Sequence, residues 1–552
     1  MTDGPRIDGL YSVHLDGDFS RQFVRNTMFN FIGRFWSFVI LLVLTPYILA
    51  RLTVAEFGVW VLLSVFVGSF ALLDLGLGLS FVKFVSEYRS SGDFERVNRV
   101  LFFGLVFYLA LGGLVVAGGL LLEPLLFGIF RIDAAPGAYA LVLVAFAVGN
   151  VATLLLSILR GLQRMDQSNI VEMAMTVPSV AGTVLVLENG MGIAGLALNA
   201  LVVAALTTVF AWWRLRRVES RVALRPVFDR ALVRKLFGYG LKLQVGRFGA
   251  LICFQADKLI ISRFLGVALV SFYEVSARLT LFMRALPLVM ISALVPAVSE
   301  LEARGDRPQV LKTYFLAARY TVVVTVGLVA FVMLEARALL LLWLGPGFEQ
   351  SVVLVQVLAI GYGVNAISES ATQTGSGIGR PDIDMRGAIL LTILNPLLSI
   401  ALILELGTPA GAALGTSIAL VSSASYVVWT FHSVYVGRSV FALLRDVHLR
   451  PWLAAASGVG LVFLFHAVLP VIPAADSSRL AAGIRIGVDC GLFGSTYLLA
   501  LVALRHITAL DWQNLRRLAL FGYRVLRQPF PELSGGEGVG MTSWPQNRPG
   551  NG

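Results

Sequence analysis

The chain has 552 residues, of which 57% are hydrophobic and 14% charged, whereas a soluble domain carries roughly a quarter charged residues, so a water-solvated globular fold is excluded. A net charge of +11 raises the question of nucleic acid, which the placement of the basic residues between apolar runs answers in the negative. Two cysteines, Cys253 and Cys490, both sit inside apolar runs as small hydrophobes, and neither a disulfide, a metal centre nor a redox cofactor is implied.

Residues 1–26 are polar and of mixed charge, without the apolar stretch and small-residue cleavage site of a secretory signal, so the first spanning helix is expected to act as the insertion signal. Beyond them, apolar segments recur that are each long enough to cross a hydrocarbon core of about 30 Å as a helix. They fall at residues 27–50, 57–84, 98–122, 138–160, 169–188, 191–212, 237–264, 270–300, 318–343, 350–375, 384–405, 409–431, 449–468 and 483–504. The expected fold is an all-α polytopic membrane protein of about 14 transmembrane helices.

Every second connection is basic. Lys83, Arg89, Arg96 and Arg99 stand in one, Arg160 and Arg164 in the next, and eight bases between Arg214 and Lys235 in the third. The alternation continues to the C-terminal end, and the intervening connections hold about one base each, such as Arg51, Arg131 and Arg479. The positive-inside rule then places both termini in the cytoplasm.

The basic connection at 213–236 contains Pro226 and divides the chain into an N-terminal six-helix bundle at 27–212 and a second at 237–431. At a constant offset of 213 residues, Gly33, Arg34 and Phe35 match Gly246, Arg247 and Phe248, and Ile48, Leu52, Val54 and Ala55 match Ile261, Leu265, Val267 and Ala268. Weak internal symmetry of this kind marks a duplicated transporter fold with its substrate path between the repeats, here parallel ones because each has six helices. Two additional helices occupy 432–504, and a cytoplasmic tail follows at 505–552, disordered by composition from about residue 529 onward.

Four stretches carry a resemblance to a known family: LTVAEFGVW from Leu52, LLDLGLGLSFVKF from Leu72, DKLIISRFLGVALVSFYEVSARL from Asp257 and LLLWLGPGFEQSVVLVQVLAIG from Leu340. In their order and spacing the chain, over residues 20–435, resembles the multidrug/oligosaccharidyl-lipid/polysaccharide exporter superfamily and within it the polysaccharide flippases of the Wzx type. The resemblance implies two six-helix bundles around a V-shaped cavity that opens alternately to the two sides. It also implies a polyprenyl-pyrophosphate-linked oligosaccharide as substrate, for assembly of a surface polysaccharide. Helices thirteen and fourteen are similar to the additional pair in the peptidoglycan lipid flippases of the same superfamily, which keeps that substrate as an alternative.

Six bases fall within predicted spans: Arg34, Lys242, Arg247, Lys258, Arg278 and Arg284. Each costs about 2.5–3.5 kcal/mol at a helix centre, so each must meet a partner or a wet cavity. Their expected depths run from Lys242 and Arg34 near the cytoplasm, through Arg247 and Arg284, to Lys258 and Arg278 toward the outside. Such a ladder suits a pyrophosphate, whose oxygens arginine binds through paired hydrogen bonds. The competing reading is neutralisation of buried acids: Glu274 and Arg278 stand four apart on one helix face, and Asp257 adjoins Lys258. Lys242 can also snorkel to the interface. The acids in spans are Asp74, Glu172, Asp257, Glu274, Glu335 and Glu369. Asp74, Asp257 and Glu274 are the candidates for a proton or sodium site or for structural acids, and the bland role for Asp74, Gly76 and Gly78 is close helix packing. Among the histidines, only His466 lies well inside a span, where hydrogen-bonded structure is the ordinary reading.

A membrane glycosyltransferase, polymerase or ligase would display catalytic carboxylates or histidines on a sizeable outer loop. The outer connections here are short, and the longest offers only Glu123 and Asp133. A drug/cation antiporter of the same superfamily calls for an acidic or aromatic cavity, against the basic bias of helices seven and eight. The chain is therefore expected to be a transporter and not an enzyme. Its expected partners are a lipid-linked oligosaccharide and membrane lipid, with a proton or sodium ion and the polysaccharide polymerase machinery as further candidates.

Overall fold

The computed structural model describes residues 39–132, 136–227, 229–292, 294–468 and 478–507, with the side chains of residues 136, 242, 243 and 245–254 excepted. Among the described residues all regular structure is helical. The elements are α1 (Val39–Leu49), α2 (Val54–Phe70), α3 (Leu77–Ser90), α4 (Phe94–Phe130), α5 (Pro136–Gly161), α6 (Met165–Glu188), α7 (Gly192–Val218), α8 (Arg230–Leu265), α9 (Val267–Met290), α10 (Leu294–Ala303), α11 (Arg307–Leu344), α12 (Ser351–Gly377), α13 (Asp382–Leu406), α14 (Ala410–Phe431), α15 (Val440–Leu443), α16 (Leu449–Val468) and α17 (Arg479–Ala503). Twelve helical stretches among the described residues are long and apolar enough to cross a membrane, and α1, of which residues 39–49 are described, is a shorter apolar helix. The 36-residue α8 has the length but is not among the twelve, and its apolar stretch carries Asp257, Lys258 and Arg263.

Two expected single spans are broken. The second divides into α2 and α3 through a turn at Ala71–Asp74, where Leu75 and Gly76 both take left-handed backbone at φ 53° and 75°. In the eighth, α9 ends at Met290 in a turn at Ile291 and Ser292, and α10 begins at Leu294. Apolar periodicity does not reveal such breaks, because both flanks keep facing lipid and core. The basic connection also shortens: α7 runs to Val218 and α8 begins at Arg230, so most of residues 213–236 is helical.

The 213-residue offset reappears in local structure that composition cannot mimic. Val54 and Val267 both open a helix, and Ser90 and Ala303 both close one. Gly92 and Gly305 both adopt positive φ, at 72° and 70°. Asp93 then caps α4 by accepting from Arg96 N–H at 3.0 Å, and Asp306 caps α11 by accepting from Gln309 N–H at 3.1 Å. A carboxylate at this position satisfies one orphan donor and favours the positive end of the helix dipole. Corresponding helices pack alike: α5 lies against α3, α4 and α7, as α12 lies against α10, α11 and α14. The pair α16 and α17 packs on itself and on α11.

The two halves touch at both ends of the bundle. At one end α2 lies on α9 so closely that a Cβ built on Gly58 would meet Val267 O at 2.2 Å, and Ser271 donates to Val54 O at 2.6 Å. At the other, the α2–α3 break abuts α8: Gln244 donates to Leu72 O at 2.7 Å and Ser80 to Leu236 O at 3.0 Å. Arg99 of α4 pairs there with Asp229, the cap of α8, at 3.2 Å.

Candidate functional site at the junction of the halves

A buried charged group at the junction is built on α8 and α9. Glu274 is buried and accepts two cations, Lys258 Nζ at 2.7 Å and Arg278 Nε at 2.6 Å. Glu274 and Arg278 sit four apart on α9, so their pairing is dictated by helix geometry. Arg278 then reaches the other half, donating to Thr45 Oγ1 of α1 at 2.7 Å, with its guanidinium 5.4 Å from the centre of the Phe57 ring on α2. Two cations share one carboxylate, which leaves the cluster with one positive charge where the halves meet. Deeper along α9, Arg284 donates to Asn365 Oδ1 of α12 at 2.7 Å and lies within electrostatic reach of Glu369.

The sequence pairing of Asp257 with Lys258 is corrected. Adjacent residues on a helix point about 100° apart, and Asp257 turns away from Lys258 into the second half. There its carboxylate, 2% exposed, accepts from Tyr273 at 2.6 Å, Thr416 at 2.6 Å and Ser399 at 2.9 Å, with Asn395 a fourth donor. These partners come from α9, α14 and α13. The carboxylate is thus ringed by three hydroxyl groups and one amide group, a polar enclosure suited to a proton or, through its oxygens, to a hard cation.

Asp74 lies at the α2–α3 break. It accepts from the Tyr108 hydroxyl of α4 and from Gly78 N–H at 3.3 Å, so it ties the break to a neighbouring helix. Gly76 makes the close approach expected of it, whereas a Cβ on Gly78 would find its nearest neighbour at 3.6 Å. Glu172 pairs with Arg160 on a half-exposed surface. Arg34 and the side chains of Lys242, Arg247 and Cys253 lie outside the described residues. Cys490 is exposed on α17.

Sequence reading missed Tyr273, Asn395, Ser399 and Thr416, since hydroxyl and amide residues in membrane helices are common and only tertiary contact selects these four. It also passed over Arg485 and Asp489 in the last span, although their spacing of four residues was the same signal that found Glu274 and Arg278.

Residues 23–302, which are 280 of the 552, match the family of polysaccharide biosynthesis proteins. The chain belongs to that family. Among curated relatives of this family member, an uncharacterized membrane protein, MJ1068, of Methanocaldococcus jannaschii is 23% identical over 215 residues, which cover 39% of this chain and 41% of that protein. The chain thus spans about two fifths of that relative's length. The probable low-salt glycan biosynthesis flippase Agl15 of Haloferax volcanii is 22% identical over 371 residues, 67% of this chain and 75% of that protein. Two solved structures share the fold. A multidrug resistance transporter of the MATE family, in an inward-facing conformation, superposes with a TM-score of 0.62 at 17% identity, covering 75% of this chain and 95% of its own. A lipid II flippase, MurJ, in an inward closed conformation superposes at 0.63 and 15% identity, covering 86% of this chain and 99% of its own. This member of the polysaccharide biosynthesis family is therefore a multi-pass helical membrane protein that shares the fold of those two solved structures.

Proposed function

We propose that the chain flips a polyprenyl-pyrophosphate-linked oligosaccharide across the cytoplasmic membrane by alternating access of its two halves, in service of surface-polysaccharide assembly, and that it catalyses no covalent step. The observation that supports this reading is the net positive charge that Lys258, Glu274 and Arg278 carry among the described residues, set against Thr45 and Phe57 of the opposite half. A diphosphate leaving the headgroup region needs such compensation, because its own charge is as costly in hydrocarbon as that of a lone arginine. Arg284 continues the cationic line, and Arg34, Lys242 and Arg247 are assigned to the same path from their sequence positions. The cytoplasmic placement of both termini follows from the basic alternate connections.

Asp257 is proposed as the site of the coupling proton or sodium ion, supported by its enclosure in hydroxyl and amide groups from three helices of one half. Asp74, bonded to Tyr108 of α4, is proposed as a further candidate acid in the other half, at a position unrelated to Asp257 by the repeat. The test is complementation of a flippase-null strain with Arg278→Gln, Arg284→Gln, Arg247→Gln and Arg34→Gln at matched protein level. Loss of surface polysaccharide is expected, with partial rescue by lysine at 247 and 284, where charge returns without the two-pronged geometry. Full activity in all four glutamine variants would move the substrate path elsewhere.

A further inference from the structure

Helices α16 and α17 lie outside the repeated halves, yet they bring the membrane's costliest side chains with them. Asp489 of α17 is fully buried and contacts His466 Nε2 of α16 through both carboxylate oxygens, each at 2.9 Å. Arg485, one turn away on α17, stands 3.4 Å from Asp489 Oδ2 and 3.2 Å from Glu335 Oε2 of α11. Glu335 is 1% exposed and sits where α11 leaves helical geometry, at φ −106° and ψ 17°. No proline explains that break, since Pro308 at the start of α11 is far from it. All four groups lie at one level: Glu335 is nine residues from the end of α11, Arg485 six and Asp489 ten from the start of α17, and these ends adjoin through Arg479, which donates to Leu344 O at 2.7 Å.

The charge count decides what this group can do. Two carboxylates and one guanidinium sum to one negative charge while the imidazole is neutral. An unbalanced charge in a low-dielectric interior is disfavoured, and addition of a single proton brings the sum to zero. Among the described residues of the group, His466 and Arg485 are partly open, at 22% and 28% exposed, and of these two the imidazole is the one that can take up and pass on a proton, because both carboxylates are sealed. Among the described residues, polar groups on neighbouring helices are engaged elsewhere. On α9, Glu274 is held by Lys258 and Arg278; on α12, Gln356 donates to Met333 O at 3.0 Å; and Arg337 of α11 itself is exposed. On α17, the Tyr497 hydroxyl donates to Val323 O at 2.7 Å, away from the cluster.

We propose that Glu335, His466, Arg485 and Asp489 form a proton-binding site, separate from the junction of the halves, through which the extra helix pair senses pH and acts on the break in α11. Binding adds one proton to the His466–Asp489 pair or to Glu335, and no bond other than that to the proton forms or breaks. A sodium ion is the poorer ligand, because the guanidinium and the imidazole present nitrogen where a hard cation takes oxygen.

The experiment is infrared difference spectroscopy of the full chain in lipid vesicles between about pH 5 and 8, the range in which histidine and a perturbed carboxylate exchange protons. The wild type should take up one proton, seen as an imidazole or carboxyl band, with or without sodium. Glu335→Gln makes the group neutral without a proton, so it should fold as well as the wild type and lose the band. The double variant E335Q/R485Q restores one negative charge, and the band should return. His466→Gln should move the signal wholly onto a carboxylate. An identical titration in the wild type, E335Q and D489N would overturn the assignment, and so would a band that follows sodium in place of pH. The readout is protonation itself, so it stands whether or not the flippase reading survives.

Discussion

Gly76 of the first half and Gly240 of the second stand backbone to backbone: a Cβ built on Gly76 would lie 2.3 Å from Gly240 O, and one on Gly240 would lie 2.6 Å from Leu75 O. Neither contact leaves room for a methyl group, and Gly76 also needs its left-handed φ of 75°.

Gly240→Ala should therefore part the halves at this end, while Gly58→Ala, whose Cβ would meet Val267 O at 2.2 Å, should part them at the other. Overpacking of this kind costs about 1–3 kcal/mol, enough to shift a two-state equilibrium roughly 5- to 150-fold. Spin-label distances across each end should lengthen in opposite senses in the two variants. Gly238→Ala, which meets nothing within 4 Å, should leave both distances unchanged.

Asp257→Asn should remove ion dependence without unfolding the chain, because the amide oxygen can still accept from Tyr273 and Thr416 while its NH2 donates to the Ser399 hydroxyl, which can turn to donate to Asn395 Oδ1. A bound ion stabilises by about 2.7 kcal/mol at a hundred times its Kd. The wild-type melting temperature is thus expected to rise with sodium or with proton concentration, and that of the variant to stay flat, as followed by thermal-shift fluorescence. A variant that retains the wild-type ion response would exclude Asp257 as the site.

Glu274→Gln leaves Lys258 and Arg278 buried and facing each other across a neutral side chain. Removal of one partner from a buried ion pair costs about 3–5 kcal/mol. The double variant E274Q/K258M should recover much of that loss, and a double-mutant cycle on denaturation midpoints measures how much. Additive effects would show that the two groups do not interact.

A cysteine placed at Arg221, between α7 and α8, should resist a membrane-impermeant reagent added from outside, whereas one at Thr408, between α13 and α14, should react. The linker is fastened as well as placed: Asn98 of α4 accepts from Ala223 N–H at 2.8 Å and donates to Arg221 O at 3.1 Å. The reverse labelling pattern would invert the orientation derived from the basic connections.

The helices were legible in the sequence because each must present about 20 apolar residues to lipid, a demand that leaves little freedom. The pairing of Glu274 with Arg278 was legible for the same reason, since helix geometry alone brings them together. Asp257 was not, because its partners come from α9, α13 and α14, and no local pattern distinguishes a hydroxyl that meets a carboxylate from one that back-bonds its own helix, as Thr392 does to Ala388 O. The breaks beside Gly76 and at Glu335 escaped for a related reason. Their cost is met by tertiary contacts, Gly240 for the one and Arg485 for the other.

The helices α4 and α11, of 37 and 38 residues, have a length that now takes on meaning. At 1.5 Å per residue each holds about 56 Å of helix, nearly twice the hydrocarbon thickness, α11 in two segments that meet at Glu335, so both extend beyond the membrane. The projecting ends are not idle: Arg99 near the start of α4 grips Asp229 ahead of α8, and Arg307 at the start of α11 donates to Tyr435 O beyond α14. Each long helix is a lever whose fulcrum lies in the bilayer and whose free arm is hooked to the neighbour it would have to drag. A small tilt within the lipid becomes a larger sweep outside it, and the connection between the halves moves with that sweep.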